Sequence, residues 1–298
     1  APPRWGRLAG LSPWGRSCQP RTVTYVAAAS ASRSPGNLRQ LPPLALRLAA
    51  VQPDPARLAA YCEVCGIEPS EFLPITYPQV AVTALHMALM TQPKFPLPML
   101  GLVHVSNRIE QFRPIGVGEA WDAEVRIGEC REVRAGLEFD LLTDVSVGEE
   151  RVWTAVTTII HRRKSGGKAD SGRAPRPSAP AAEAPRLADY HAIRAAADTG
   201  RRYAKVSGDY NPIHLYAATA KLFGFPRAIA HGMWSLARCL GVLEGQLPAA
   251  PTVLEVKFKQ PVLLPAAAAL KFHTEDDGVH FWMLAQRSNK VHLSGVLR

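Results

Sequence analysis

Gly232-Met-Trp-Ser-Leu-Ala-Arg-Cys-Leu-Gly-Val-Leu243, followed by Val253-Leu-Glu-Val-Lys-Phe258, decides how this chain is read. The first stretch is apolar around most of its circumference and long enough for a buried helix; the second alternates apolar and polar residues as a strand does. Further strands read at 260–272, 280–287 and 291–297. The gaps between them are too short for the crossover helices that a parallel sheet requires, so the strands run antiparallel. The same order occurs earlier in the chain. A helical run, Val80–Met90, follows Tyr77-Pro78, and strands read at 103–112, 113–125, 137–147 and 151–161. Phe112-x-Pro114 and Phe258-x-x-Pro261 mark the same corner in the two copies. The repeat predicts an α+β chain of two half-domains, each a long antiparallel sheet wrapped round a central helix, paired through their sheets as an intramolecular pseudo-dimer.

Between the halves, residues 162–186 are rich in Gly, Ser, Pro, Ala and basic side chains, a composition that builds no core and reads as a flexible linker. The expected organisation is a basic extension without structure over 1–39, half-domains at 40–161 and 187–298, and the linker between them. The net charge is +10. Residues 1–53 hold seven arginines (Arg4, Arg7, Arg16, Arg21, Arg33, Arg39, Arg47) and no acid, and 162–186 hold seven Lys/Arg against two acids, which leaves the body slightly acidic, at about −2. Those cations lie in a tail and a linker rather than on a folded face, and that placement argues against a nucleic-acid binder. No apolar run approaches the roughly 18 residues of a membrane span. Five scattered cysteines suit a reducing compartment rather than a disulfide framework. The expected location is the cytoplasm, or the mitochondrial matrix if the Arg/Ser/Ala-rich residues 1–36 are a transit segment. Cys62-x-x-Cys65 has no second pair to complete a metal site and reads as packing at a helix end stopped by Gly66.

One stretch breaks the repeat. Tyr203-Ala-Lys-Val-Ser-Gly-Asp-Tyr-Asn-Pro-Ile-His214 places a carboxylate (Asp209), an amide (Asn211) and an imidazole (His214) around Gly208 and Pro212, which bend and stiffen the backbone so that the polar groups converge. The matching place in the first half, near Pro53–Gly66, has no such set. Downstream, Ala230-His-Gly-Met233 puts a bare glycine at the start of the apolar helix. An acid/base pair followed by free backbone N–H groups is the equipment for chemistry beside a carbonyl.

Ser207-Gly-Asp-Tyr-Asn-Pro-Ile-His214, with Phe223-Gly-Phe-Pro226 and Ala230-His-Gly-Met233, resembles the signature of the MaoC-like dehydratases and R-specific enoyl-CoA hydratases. The likeness is strong in the second half and weak in the first, as in the two-hot-dog members of that family. It implies a tandem hot-dog fold and a hydro-lyase that interconverts (R)-3-hydroxyacyl and trans-2-enoyl thioesters by syn addition or removal of water. It also implies that Asp209 and His214 form the catalytic pair, that Gly232 N–H is the oxyanion donor, and that Asn211 holds the pair or a water. No prosthetic group is implied, since coenzyme A enters with the substrate, or acyl-carrier protein replaces it.

For the phosphates of such a carrier, Lys257, Lys259 and Arg227 are candidates by sequence proximity. Ser207 is expected to support the loop, Tyr203 to pack it, His231 to bond backbone, and His104 to be a hydrogen-bonded sheet-edge residue. No metal site is expected, and pairing of sheet edges suggests a homodimer. The run Val80–Met90 admits two readings: space for a long acyl chain beside the first-half helix, or ordinary core. Two rivals stand beside the hydro-lyase, a hot-dog thioesterase and a non-catalytic acyl-thioester binder. The Asp-x-Asn-Pro-x-His spacing argues against the first and the acid/base pair against the second.

Overall fold

The computed structural model of the protein describes residues 5–7, 23–27, 41–99, 101–162, 190–247 and 250–298. Strands β1 (Trp5–Arg7), β2 (Val23–Ala27) and β3 (Leu44–Val51) lead into helices α1 (Pro55–Cys65), α2 (Tyr77–Ala81) and α3 (Thr83–Met90). Strands β4 (Leu102–Gln111), β5 (Trp121–Val133), β6 (Gly136–Val147) and β7 (Glu150–Arg162) complete the first half. The second half runs β8 (His191–Ala195), α4 (Thr199–Ser207), α5 (Pro212–Leu215), α6 (Ala217–Leu222), α7 (Gly232–Val242), β9 (Thr252–Phe258), β10 (Ala266–Glu275), β11 (Gly278–Ala285) and β12 (Val291–Leu297).

The halves are copies in topology. From one edge the strand order is β3-β5-β6-β7-β4, then β9-β12-β11-β10-β8, with β2 and β1 added outside β3. Numbered within each half, both orders read first-third-fourth-fifth-second, and the two second strands meet at the pseudo-twofold. There β4 and β9 pair antiparallel, from Ser106 opposite Lys257 to Gln111 opposite Thr252, so the two hot-dog sheets are continuous. Phe112 and Phe258 both lie at the end of this second strand, the equivalence expected of the two corners.

Helices cross between halves in the same symmetric way. α1 packs against α4 and α7, and α4 against α1 and α2. Trp234 Nε1–H of α7 donates to the Val64 carbonyl of α1 (2.8 Å). Tyr61, Tyr77 and Tyr203, from α1, α2 and α4, share an aromatic contact and are fully buried. α1 forms where Asp54 Oδ1 accepts the Arg57 N–H (2.8 Å) and Pro55 opens the first turn, and it stops at Gly66, whose φ of 60° is the left-handed conformation glycine tolerates. Cys62 and Cys65 sit buried at that end, their thiol pKa values pushed up chiefly by burial, which fits packing.

Three expectations are adjusted. Within 1–39, Trp5–Arg7 and Val23–Ala27 are strands added to the edge at β3, where the β-branched and aromatic residues of Val-Thr-Tyr-Val suit pairing along an existing strand. The rest of 1–39, and the expected linker apart from Arg162, lie outside the described residues. The first-half central helix is broken at Val82, whose φ and ψ of −93° and 2° leave the helical region, so Val80–Met90 is divided between α2 and α3. β4 is an interior strand between β7 and β9, but its pairing with β9 begins only at Ser106, so His104 has a strand partner, Ile159, on the β7 side alone.

Candidate active site

The polar stretch of the second half begins where α4 ends. Gly208 takes φ 77°, a conformation costly for any residue with a Cβ, and turns the chain out of the helix. Two short side-chain bonds then fix the loop. Ser207 Oγ accepts the Asp209 N–H (3.2 Å), and Asp209 Oδ1 accepts the Asn211 N–H (3.1 Å). Asn211 caps α5, its Oδ1 accepting the Ile213 N–H (3.4 Å) with Pro212 at the first helical position. The amide oxygen of Asn211 thus takes one backbone N–H, and its second lone pair and Nδ2 remain for the water-holding role expected of it.

α5 carries His214 inward, where it is 8% exposed. Residues 228–230 are threaded beside it: Ile229 N–H donates to the Ile213 carbonyl (3.1 Å), and Ala230 N–H to the Val262 carbonyl (2.9 Å). This fixes the Ile229 carbonyl, which takes a hydrogen bond from His214 Nδ1–H (2.8 Å). The tautomer follows: Nδ1 holds the proton and Nε2 presents a lone pair. Gly200, in the first turn of α4, permits this closeness, because a Cβ there would run into the His214 carbonyl oxygen.

His231 stacks on His214, with ring centroids 3.7 Å apart at 27°, and Tyr203 packs against His231 at 4.9 Å. His231 Nε2–H donates to the main-chain carbonyl of Asp209 (3.0 Å). It thus ties the loop to the start of α7, the backbone-shaping part expected of it, and Tyr203 packs the motif as expected.

The nitrogen and carboxylate-oxygen atoms of Asp209, His214 and His231 lie within 4.8 Å of one another. Two groups at that separation can both hydrogen-bond one water. The Asp209 side chain is 30% exposed and opens toward solvent, while both imidazoles are buried. Burial pushes the His214 pKa below its ordinary 6.5, with the Asp209 charge and the Ile229 bond pulling the other way. His231 falls to about 3, through burial and then through His214 beside it. Both rings are neutral near pH 7.

Gly232 is the first residue of α7, where no carbonyl one turn back exists to take its N–H. A Cβ built on Gly232 would press on the Phe258 ring at 3.1–3.3 Å. The side chain that glycine avoids is therefore one that would strike β9. The helix start offers an N–H with the positive end of the dipole behind it, beside the Asp209 carboxylate and the His214 imidazole.

Of the cations expected near the site, Lys257 alternates along β9 with Val256 and Phe258, so it leaves the sheet on the face opposite Gly232. Lys259 and Arg227 are exposed; Arg227 Nη1–H reaches the Pro265 carbonyl (3.4 Å).

The first half contributes something the sequence reading did not find. His104 packs edge-on against Phe258 at 4.8 Å, behind Gly232, and its imidazole feels the Asp209 charge. Its Nε2–H donates to the Ser106 carbonyl (3.0 Å), and burial lowers its pKa to about 4. A bulge in β4 sets this geometry. Opposite β7, His104 faces Ile159 and Asn107 faces Thr157, so Val105 is an extra residue and His104 and Asn107 share the inner face. A spacing of three in a regular strand would put them on opposite faces, so alternation alone does not reveal the shared face.

Residues 178–295 match the family model described as MaoC like domain. A curated 3-hydroxyacyl-thioester dehydratase X of Mycobacterium tuberculosis is 38% identical over 260 residues, covering 87% of this chain and 90% of that protein. A crystal structure of HtdX from Mycobacterium tuberculosis aligns with a TM-score of 0.73 at 36% identity, over 85% of this chain and 99% of the other. A MaoC-like dehydratase from Phytophthora capsici aligns with a TM-score of 0.68 at 16% identity, over 88% and 96% of the two chains, which speaks to the fold alone.

Proposed function

The chain belongs to the MaoC-like dehydratase family, and on that premise we propose that it interconverts (R)-3-hydroxyacyl and trans-2-enoyl thioesters by syn addition or removal of water. The observation that carries the reading is the convergence of Asp209 and His214, within 4.8 Å, beside the Gly232 N–H at the head of α7.

In the hydration direction, the thioester oxygen lies on the Gly232 N–H, and one water sits between Asp209 and His214. As the water oxygen bonds to C3, His214 Nε2 takes one of its protons. The C2–C3 π electrons move toward the carbonyl, whose oxygen gathers negative charge at Gly232. His214 then returns the proton to C2, on the face the water entered. Asp209 accepts the water's other O–H and stabilises the transient imidazolium, the sense in which its charge already acts on His214. Held acid/base groups of this kind supply on the order of 10²–10⁴-fold, and an oxyanion donor roughly 3–4 kcal/mol. Dehydration runs the same steps backward.

The carrier is coenzyme A or an acyl-carrier protein, with Arg227 and Lys259 as the exposed cations available to its phosphates.

Crotonyl-CoA tests the reading. Wild type should remove the conjugated enoyl absorbance and form (R)-3-hydroxybutyryl-CoA, and Asp209→Asn and His214→Ala should each lose about 10²-fold or more in kcat. Background loss of absorbance in all three would remove the hydro-lyase reading. Free thiol without the hydroxyacyl product would move the protein to the thioesterases.

A further inference from the structure

The half without a catalytic motif keeps an unusual interior. Gln79 of α2, His86 of α3, Asn107 of β4, Thr143 of β6 and Thr157 of β7 are all buried, each 6% exposed or less. Gln79 Nε2–H donates to Thr157 Oγ1 (2.9 Å) and lies 3.5 Å from His86 Nδ1; His86 Nε2 bonds Thr143 Oγ1 (3.0 Å). Asn107 Nδ2–H donates to the same Thr157 hydroxyl (3.1 Å). Gln79 Oε1 and Asn107 Oδ1 accept nothing among the described residues. Turning either amide over exchanges which of its atoms is satisfied but still leaves one unmet. Unmet buried polar groups are costly, and a buried water or a ligand hydroxyl reaching this cluster would find both acceptors waiting.

The cluster adjoins the candidate site. Asn107 Nδ2 is 4.0 Å from Met233 Sδ, and Met233 follows Gly232. The bulge at Val105 turns Asn107 to the same side as His104, which packs on Phe258 behind Gly232. A thioester whose carbonyl lies on Gly232 can extend its acyl chain over Met233 toward Asn107. Of the two readings of Val80–Met90, the structure favours ordinary core, since Val80, Val82, Leu85, Leu89 and Met90 all pack into it. The cluster also carries no ionised group. Burial holds His86 neutral, its pKa lowered to about 3, and among the five side chains the rest are amides and hydroxyls. An ionised substituent would find no counter-charge, whereas a hydroxyl, both donor and acceptor, suits either amide orientation.

We propose, on the basis of the hydro-lyase reading, that Gln79 and Asn107 are specificity determinants supplied by the first half, binding a hydroxyl carried by the acyl chain beyond C3. The enzyme then selects oxygenated acyl thioesters over plain alkyl ones, and the first half reads the substrate while the second transforms it.

The test is a matched pair, trans-2-hexenoyl-CoA and 5-hydroxy-trans-2-hexenoyl-CoA, compared by kcat/KM in the full-length protein. Wild type should favour the hydroxylated substrate by about tenfold or more, the scale of a buried neutral hydrogen bond. Gln79→Leu and Asn107→Leu should bring the ratio toward one, by loss on the hydroxylated substrate and gain on the plain one. Thr157→Val, a milder change, guards against variants that do not fold, and should also reduce the ratio. Equal efficiencies in wild type, or a preference that survives all three substitutions, would overturn the proposal while leaving hydration intact. Turnover of neither hexenoyl substrate nor crotonyl-CoA would overturn it together with the hydro-lyase reading.

Discussion

Replacing Gly232 with Ala separates an oxyanion donor from an ordinary helix start. The added methyl meets Phe258 Cε1 at 3.1 Å and Cδ1 and Cζ at 3.3 Å, so a few tenths of an ångström must be found. Phe258 cannot simply withdraw, because His104 packs against its ring at 4.8 Å. The strain therefore passes to the first turn of α7, and the N–H shifts from the place where the thioester oxygen gathers charge. Ala in place of Gly also gains up to about 1 kcal/mol of helix propensity, so global stability should change little. The loss falls on the transition state instead. Full loss of such a donor is worth roughly 3–4 kcal/mol, which sets kcat down by about 10²–10³-fold. The assay is crotonyl-CoA hydration with a thermal melt on the same sample. Phe258→Leu added to Gly232→Ala should recover part of kcat by making room for the methyl. Wild-type kcat in Gly232→Ala would refute the reasoning, as would a loss explained wholly by a lower Tm, or a double variant no better than the single.

Other outcomes follow from the same geometry. His214 must be neutral to take the water proton, and its pKa lies below 6.5, so the acid limb of kcat/KM should fall below pH 6.5; a limb above that value contradicts the assignment. In Asp209→Asn the residual activity should show that limb lower still, because the carboxylate that raises the His214 pKa is gone. Stability should also fall in acid. His86 and His231 are held near 3 in the folded protein and titrate near 6.5 when unfolded, so the unfolded chain binds the proton first and folding free energy drops as pH falls below 6.5. The expected loss is ~2 kcal/mol per histidine by pH 5, read from urea midpoints, and a flat profile from pH 7 to 5 would count against their neutral burial. Gly200→Ala drives a methyl into the His214 carbonyl oxygen and should cost both Tm and kcat, whereas an active, fully stable variant would place α4 farther from α5 than described.

Much of the fold was legible because its period-two and helical patterns are long. The strand at 291–297 matches β12 at both ends, and those read at 103–112, 137–147 and 151–161 fall within one residue of β4, β6 and β7. Where Pro and Gly crowd the pattern, the expected starts were early. Gly116 and Gly118 delay β5 to Trp121, and Pro261 and Pro265, which lack ladder donors, delay β10 to Ala266. The short edge strand β8 escaped notice because five residues give too little alternation to read. At the site, Asp209, His214, Ser207 and His231 were readable because local chain geometry brings them together. Phe258 against Gly232, Gly200 against His214, and Asn107 beside Met233 were not, since each contact joins distant segments through packing or a bulge.

The central claim is that one water, shared by Asp209 and His214, supplies both hydroxyl and proton to a single face of the enoyl thioester. Hydration of crotonyl-CoA in D₂O, followed by assignment of the relative configuration at C2 and C3, tests it most directly. The account predicts an (R)-3-hydroxy product with deuterium at C2 added syn to the hydroxyl. Deuterium added anti, or scrambled between the two C2 positions during a single turnover, would mean that the two groups do not work on a common water.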